Sequence, residues 1–313
     1  MTLWQKYLKP KTLSEAMDAL ANAPRPLIPI AGGTDLLLDL QQGRHAPVQT
    51  LLDVTSILEM TLLEMRGDEL FIGASVPVNR VALDPLTVTH AQALTEACNL
   101  IAGPQVRNVA TLGGNVAHAL PAADGTIALL ALDAQAEIAS FVLSGAERSR
   151  SAVTRKIPFN ELFLGPGKSS LKHGEELIVG FYVPIKTSEF SKNSEVSRVS
   201  SCFKRIMRPQ GVALPILNCA VWLECDNDVI KDMRIAVGPG GGTPFRATQA
   251  EETLRGKSLN ETTFESALEA LLAQAQFRTS ARRASADYRQ HIVVSLFRDV
   301  LETAWERAVS DRK

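Results

Sequence analysis

The sequence predicts a mixed α+β protein of two domains. Its 313 residues are about twice the length of a typical domain of roughly 150 residues. Short apolar segments with strand character alternate with amphipathic segments of helical period through the first 185 residues. A polar, serine-rich stretch at 186–200 follows, and we interpret it as a connector. The domains are therefore expected at 1–185 and 201–313.

The first domain begins with a helix that is predicted at 13–21. Leu13, Met17 and Leu20 form an apolar stripe along it, Thr12 is available as its N-cap, and Pro24 lies beyond its end. The later elements alternate in type, as a mixed domain requires. They are strands at 27–31, 51–54 and 69–72, helices at 35–41 and 94–100, and buried segments at 129–132 and 136–141.

The second domain is predicted to combine a small antiparallel sheet with helices. Apolar residues recur at period 2 in its middle strand, where Cys219, Val221, Leu223 and Cys225 share one face. The helices follow the sheet in the chain. The predicted elements are strands at 202–206, 220–225 and 233–237 and helices at 244–254, 262–275 and 286–308.

The composition excludes several classes of protein. There are 33 Lys and Arg against 34 Asp and Glu, a formal charge of −1, whereas nucleic-acid binding needs a basic surplus on some face. No apolar run approaches the roughly 20 residues of a membrane-spanning helix. The N-terminus also lacks the apolar core of a secretory signal. We therefore expect a cytoplasmic protein with no nucleic-acid or membrane partner.

The four cysteines do not form a recognisable metal or redox motif. Cys98, Cys202, Cys219 and Cys225 show no CxxC pair and no metal-ligand spacing. Because no secretory signal is found, we expect free thiols rather than disulfides. We interpret Cys219 and Cys225 as core residues, and no metal site is predicted in this chain.

The first of two informative glycine loops leads from a strand into a helix. Gly32 and Gly33 are followed there by Thr34 and Asp35. Glycine permits positive φ and a close approach of a ligand, and consecutive amide N–H groups form a concave anion site. The next helix adds its positive end and Thr34 adds a hydroxyl. By itself the loop is better explained as an ordinary strand-to-helix turn.

The second loop repeats this chemistry further along the chain. Thr111 precedes Gly113 and Gly114, and Asn115 follows them. Two such loops could hold the two halves of one pyrophosphate, whereas a single loop would serve one phosphate. The pair therefore indicates a dinucleotide ligand. His118 lies three residues beyond Asn115 and could line the same cleft.

Three further glycine motifs are interpreted as structural. The segment 165–169 resembles the end of a P-loop, but Leu162 stands where that motif requires glycine. The segment 238–243 follows a strand as a Rossmann fingerprint would, but Thr243 replaces its last glycine. Gly73 is assigned to a simple turn. Since no HExxH or Gly-x-Ser-x-Gly motif is found either, no catalytic side chain is predicted.

These motifs together resemble the flavin subunits of the xanthine dehydrogenase family. Those proteins are the FAD-binding medium subunits of molybdenum hydroxylases, and carbon monoxide dehydrogenase is a relative. The resemblance is most specific over 101–115. It includes 30–35, the loop 165–167, the triplet 203–205 and the segment 243–257, and so covers essentially the whole chain.

The resemblance implies a fold and a set of cofactor contacts. The FAD-binding domain would be of the vanillyl-alcohol-oxidase (PCMH) type, with the flavin between two lobes at about 1–58 and 59–185. The C-terminal domain would be a small antiparallel sheet with a helical bundle. The glycine loops would wrap the pyrophosphate, Leu36 would lie near the isoalloxazine and Ile101 would pack on adenine. The cofactor-binding positions carried over are Pro29, Ile30, Ala31, Gly32, Gly33, Thr34, Asp35, Leu36, Ile101, Ala110, Thr111, Gly113, Gly114, Asn115, Asp124, Ile178 and Lys204.

The resemblance also implies a role in electron transfer. Non-covalent FAD would receive electrons from [2Fe-2S] clusters and pass them to an acceptor, for which NAD⁺ is expected. Molybdopterin and the clusters are expected on a large and a small partner subunit, because the segment 117–124 contains no cysteine. Two other classes are compatible with the residues: a free-standing FAD-dependent reductase, and a non-catalytic nucleotide-binding or scaffold module.

Overall fold

The chain is built around three main β-sheets. The computed structural model describes residues 2–144, 149–186, 198–208, 214–281 and 283–310. Within these ranges one sheet is parallel, two are antiparallel, and helices pack between and around them. The predicted α+β class is confirmed. No helix of the described chain is both long and apolar enough to cross a membrane.

The N-terminal part forms the parallel sheet. Its elements are β1 (Trp4–Leu8), α1 (Leu13–Asn22), β2 (Leu27–Ile30), α2 (Leu36–Gln41) and β3 (Val48–Asp53). The strand order is β1-β3-β2. Thr12 caps α1 by accepting a hydrogen bond from the amide of Glu15, and the predicted apolar stripe of α1 is buried. The sequence analysis missed β1, because three of its five residues are exposed and give little apolar signal.

Asp53 ties the two strands β1 and β3 together. Its carboxylate accepts hydrogen bonds from the Tyr7 hydroxyl at 2.7 Å and from the amide and hydroxyl of Thr55 at 2.8 and 2.6 Å, and Lys9 lies 3.4 Å away. Burial opposes the charge, but the bonds from Thr55 and Tyr7 outweigh it and hold the pKa of Asp53 below its ordinary value. In turn, burial and Asp53 raise the pKa of Tyr7 to about 12.

We expect Asp53→Asn to destabilise the protein at neutral pH by about 2 kcal/mol, the range of a hydrogen bond to a charged group. Because its native pKa is lowered, the ionised Asp53 carboxylate stabilises the fold fully when the pH is above the unfolded-state pKa of about 3.9. This contribution is lost as the pH falls through the native pKa. The difference between wild type and variant should therefore shrink in acid. Urea denaturation at pH 7 and near pH 3 measures it, with the exposed Asp18→Asn as control. A pH-independent difference would contradict the assignment.

The central part forms a five-stranded antiparallel sheet and most of the helices. Its elements are β4 (Leu63–Arg66), β5 (Glu69–Gly73), α3 (Val78–Leu83), α4 (Pro85–His90), α5 (Gln92–Leu100), α6 (Pro104–Arg107), α7 (Leu112–Ala117), α8 (Asp124–Ala131), β6 (Gln135–Ser144), β7 (Ser149–Pro158), β8 (Phe163–Gly165), β9 (Lys168–Ser169) and β10 (Leu177–Pro184). The order in the sheet is β4-β5-β10-β6-β7, and β8 pairs with β9. Every residue of α8 is buried, which explains why its sequence is apolar apart from Asp124 and Thr126. The polar strand β7 was not predicted.

The C-terminal part forms a four-stranded sheet followed by three helices. Its elements are β11 (Arg198–Met207), β12 (Pro215–Asp226), β13 (Val229–Gly238), β14 (Phe245–Arg246), α9 (Thr248–Leu254), α10 (Glu261–Gln274) and α11 (Ala286–Ser310). Two boundaries differ from the prediction. The helix predicted at 244–254 starts later, because β14 pairs with β13 first. The strand β11 already includes 198–200, and the rest of the expected connector, 187–197, lies outside the described residues.

The sheet of the C-terminal part is buried on both faces. The predicted face of Cys219, Val221, Leu223 and Cys225 packs with the C-terminal helices. The opposite face, which includes Trp222, joins the core of the central part. The two parts of the chain are therefore in continuous apolar contact, which places β12 and β13 beside α8 and β11 beside α5.

The four cysteines are buried free thiols, as expected. Burial raises the pKa of the Cys98 and Cys219 thiols, and it raises that of Cys202 and of Cys225 to about 12. A thiol that stays protonated is a poor nucleophile and a poor metal ligand. These side chains act as small apolar core residues.

Candidate functional site

A cleft of about 540 Å³ lies where the three parts of the chain meet. The loop after β2, the start of α7 and the start of α8 form three of its walls, and β11 with the beginning of β12 closes it from the C-terminal side. Both predicted glycine loops line this one cleft. The structure thus brings together residues that are about 80 positions apart in the sequence.

The two glycines of the first glycine loop are needed for different reasons. A Cβ on Gly32 would overlap the backbone carbonyl of Val109, so the absence of a side chain lets this loop touch the second one. Gly33 has φ +67°, a conformation that side chains disfavour. In the described chain, the amide N–H groups of residues 32–36 have no hydrogen-bond acceptor. The loop can therefore donate to an anion, as predicted.

The second glycine loop is organised differently from the prediction. Thr111 caps α7 and accepts from the Gly114 amide at 3.1 Å, and the Gly113 amide donates to the Ala74 carbonyl at 2.8 Å. Two of its amides are therefore engaged within the protein, so this loop is not a second nest of free donors. Gly114 instead leaves open space, because a Cβ there would meet only the Thr111 hydroxyl.

The loop after α5 contributes an apolar wall. Ile101 lines the cleft and is 9% exposed, and its neighbour Ala102 has φ +48°. Arg107 donates to the carbonyls of both residues, at 3.1 and 2.9 Å. These two bonds hold the loop in a conformation that alanine rarely adopts.

A buried polar group closes the inner end of the cleft. The Asp124 carboxylate accepts from the Arg205 guanidinium and, at 2.8 Å, from the Asn218 amide. Burial raises the pKa of Asp124, and the Arg205 charge and the hydrogen bonds from Asn218 and Arg205 offset part of that rise. The Arg205 Nε and the Asn115 Oδ1 are buried without a partner in the described structure. Both belong to residues that line the cleft, so a ligand can satisfy them.

Most of the predicted site residues line this cleft. They are Pro29, Ile30, Ala31, Gly32, Gly33, Thr34, Asp35, Leu36, Ile101, Ala110, Thr111, Gly114, Asn115 and Asp124. His118 lines it as well, and its Nδ1 is 3.8 Å from the Asp35 carboxylate.

Three predicted residues lie elsewhere. Gly113 packs against Ala74, where a Cβ would overlap the backbone. Ile178 is buried in β10, paired with β6. Lys204 points away from the cleft, and its amine donates to Asp299 at 2.6 Å on α11. Because neighbours along a strand face opposite sides, it is Arg205 that reaches the cleft.

The sequence analysis missed the contribution of the C-terminal part. Arg205, Leu214, Pro215 and Arg283 line the cleft, as do residues between the predicted positions. No local motif marks these four residues. Only the alternation along β11 could have indicated Arg205. Phe203 is buried, so Arg205, two residues later, lies on the same face as Phe203, and Lys204 between them lies on the other face.

The other glycine motifs serve the fold. The segment 165–168 is a hairpin turn in which Gly167 has φ +68° and its amide donates to the Ala119 carbonyl at 2.9 Å. A Cβ on Gly238 would overlap the Asn218 side chain and the Pro121 carbonyl, so that turn packs directly behind the polar group of the cleft. Neither segment lines the cleft. Their structural interpretation is supported.

The cleft suits a large phosphate-bearing cofactor. It offers a row of free amides at one loop, an open glycine at the other, apolar walls and two buried polar atoms that lack partners. The described residues contain no group of three His, Cys, Asp or Glu side chains placed to hold a metal. The fold and site together define a dinucleotide-binding α+β protein.

Family comparisons identify which dinucleotide. The model for the FAD binding domain in molybdopterin dehydrogenase matches residues 3–186, and that for the CO dehydrogenase flavoprotein C-terminal domain matches 201–304. The xanthine dehydrogenase FAD-binding subunit of Escherichia coli O157:H7 is 31% identical over 299 residues, 95% of each protein. The nicotine 6-hydroxylase medium subunit of Paenarthrobacter nicotinovorans is 31% identical over 302 residues, 96% of this chain and 98% of that subunit. The chain belongs to the FAD-binding medium subunits of the molybdenum hydroxylases.

Solved structures agree with this assignment. The matching chain of carbon monoxide dehydrogenase from Hydrogenophaga pseudoflava has a TM-score of 0.85 at 25% identity and covers 98% of this chain, with 99% of that chain covered. The matching chain of quinoline 2-oxidoreductase from Pseudomonas putida 86 has a TM-score of 0.82 at 24% identity, and the match covers 97% of this chain and 98% of that chain. At that identity the second match shows the fold alone. The predicted two-part flavin-subunit architecture is confirmed.

Proposed function

We propose that this chain is the subunit through which electrons leave a molybdenum hydroxylase, from partner [2Fe-2S] clusters to NAD⁺. The observation that carries the proposal is the single cleft lined by both glycine loops. Two of the three described carboxylates that line the cleft are held by arginines, Asp39 by Arg44 at 3.3 Å and Asp124 by Arg205, and the third, Asp35, is largely exposed. Such a site binds a cofactor and leaves the chemistry to it.

The protein's own part is to bind and orient FAD. The free amides of residues 32–36 would donate to the pyrophosphate, Gly114 would allow it to approach, and Ile101 would pack on the adenine. Arg205, held by Asp124, would offer its unpartnered Nε at the inner end of the cleft. Bound FAD supplies redox chemistry, since a flavin can exchange single electrons with iron–sulfur clusters and a hydride with nicotinamide.

The names of the relatives support a multi-subunit complex. They are described as an FAD-binding subunit and as medium subunits. We infer that this chain likewise has a large subunit with the molybdenum cofactor and a small [2Fe-2S] subunit, and that the complex is cytoplasmic. We also infer that residues 1–185, in lobes of about 1–58 and 59–185, bind FAD and that 201–313 close the cleft, with 186–200 as connector.

The isolated chain should bind FAD non-covalently and oxidise no substrate of the complex. We expect added FAD to be retained on gel filtration and released completely by acid denaturation, because no Cys lies in the described cleft lining and its one histidine, His118, faces the Asp35 carboxylate. Assays with purines, aldehydes and N-heteroaromatics and an artificial electron acceptor should show no turnover. NADH with the same acceptor serves as the positive control for a competent flavin. Substrate turnover by the chain alone would replace the subunit hypothesis with the free-standing flavoenzyme.

A further inference from the structure

Four arginines gather at the C-terminal side of the cleft. Arg208 follows β11, Arg278 and Arg283 lie in the turn before α11, and Arg289 lies in the first turns of α11. We call them the arginine cluster. Arg283 lines the cleft itself.

Two members of the arginine cluster hold the turn that carries the other two. Arg208 donates to the Arg283 carbonyl at 2.8 Å. Arg289 donates to the carbonyls of Arg278 and, at 3.0 Å, of Ile216. The turn closes on itself, because the Ser280 amide donates to the Ala284 carbonyl at 2.9 Å. Hydrogen bonds from Arg208 and Arg289 therefore hold the turn that places Arg283 beside the cleft. The position of the Arg283 backbone does not depend on hydrogen bonds made by its own side chain.

The arginine cluster is not neutralised within the described chain. None of its four members forms an ion pair with a carboxylate there, whereas Asp39 and Asp124 of the cleft pair with Arg44 and Arg205. Arg289 is only 3% exposed. Burial and the charges of Arg283 and Arg278 lower its pKa. Like charges that are held together without an acid favour the binding of an anion.

We propose that the arginine cluster binds the phosphates of a nicotinamide dinucleotide at the mouth of the cleft, with Arg283 as the contacting side chain. The inference rests on the proposed function, because it requires NAD⁺ as acceptor. The FAD pyrophosphate has its own donors in the amides of residues 32–36. The arginine cluster belongs to the C-terminal part of the chain and reaches the cleft through Arg283, so it is available for a second dinucleotide. Arginine suits this role, since its planar donors match phosphate oxygens.

The test uses the full chain reconstituted with FAD. Arg283→Gln should raise the KM for NADH about tenfold or more, with an artificial acceptor, and should weaken NADH binding equally in equilibrium dialysis. The FAD content and kcat should stay near wild type. The salt dependence of the NADH KM should also become weaker. Arg283→Lys should recover part of the affinity. Arg298→Gln is the matched control, because Arg298 is already paired with Glu261 on the far side of α11.

The outcomes separate the inference from the proposed function. If wild type oxidises NADH and Arg283→Gln does so with the same KM, the inference is overturned while NAD⁺ remains the acceptor. If Arg283→Gln loses FAD but leaves the NADH KM of the remaining holoprotein unchanged, the arginine cluster binds FAD phosphate, which also overturns the inference. If wild type neither binds nor oxidises NADH, the proposed acceptor is wrong and the inference fails with it.

Discussion

Replacing Gly114 with valine is expected to abolish FAD retention while the chain remains folded. Gly114 lines the cleft and has open space before it, so the branched side chain would occupy the path of the cofactor. The backbone can accept it with a small shift, because the only close atom is the Thr111 hydroxyl. Absorbance at flavin wavelengths after gel filtration measures occupancy, and thermal unfolding of the apoprotein measures the fold.

Two other glycines provide the controls for this result. Gly242→Val should keep both FAD and stability, because nothing lies within 4 Å of its Cβ position. Gly32→Val should lose both, since its side chain would overlap the Val109 carbonyl and separate the two loops. Gly33→Val should also lose FAD, because valine disfavours the φ of +67° there. Full flavin occupancy in Gly114→Val would show that the cofactor does not pass along this loop.

Replacing Arg205 with alanine is expected to lower the free energy of unfolding by about 3–5 kcal/mol, the cost of breaking one side of a buried ion pair. The Arg205 and Asp124 side chains are 8% and 5% exposed. Without the guanidinium, Asp124 keeps only the Asn218 hydrogen bond against the cost of burial. Urea denaturation of the apoprotein measures the loss.

The neighbouring residue gives a sharp control for Arg205. Lys204→Ala removes a cation from the same strand, but its partner Asp299 is exposed, and such pairs contribute roughly 0–1 kcal/mol. The double variant Asp124→Ala/Arg205→Ala should cost less than the sum of the single ones, because it leaves no lone buried charge. Equal losses for Lys204→Ala and Arg205→Ala would contradict this account of the buried pair.

Local patterns predicted much of the fold. The stripe of Leu13, Met17 and Leu20 marked α1, and the period-2 face containing Cys219 and Val221 marked β12, because each pattern reflects burial against one neighbour. The same logic fails for β1 and β7. Their exposed or polar residues form strands because adjacent strands offer backbone partners, and backbone pairing leaves no mark in side-chain hydropathy.

The residues that line the cleft likewise include some that could be predicted from sequence and some that could not. Residues 29–36 and 110–115 could be recognised from sequence, because a strand, glycines and a polar helix start are contiguous. Arg205 and Arg283 could not, since they reach the cleft only when the C-terminal sheet packs on α8. Assigning Lys204 to the cofactor illustrates the limit: one residue's difference in strand phase separates a surface ion pair from the buried partner of Asp124.

The sequence by itself determined the family, the two glycine loops and the absence of cluster-binding cysteines, because these depend on residue type at short spacing. Only the tertiary structure decided what each glycine does. Gly32 touches the second loop, Gly113 packs on Ala74, and Gly114 leaves open space in the cleft. These differences depend on atoms from distant segments, which meet only because the three sheets pack on one another.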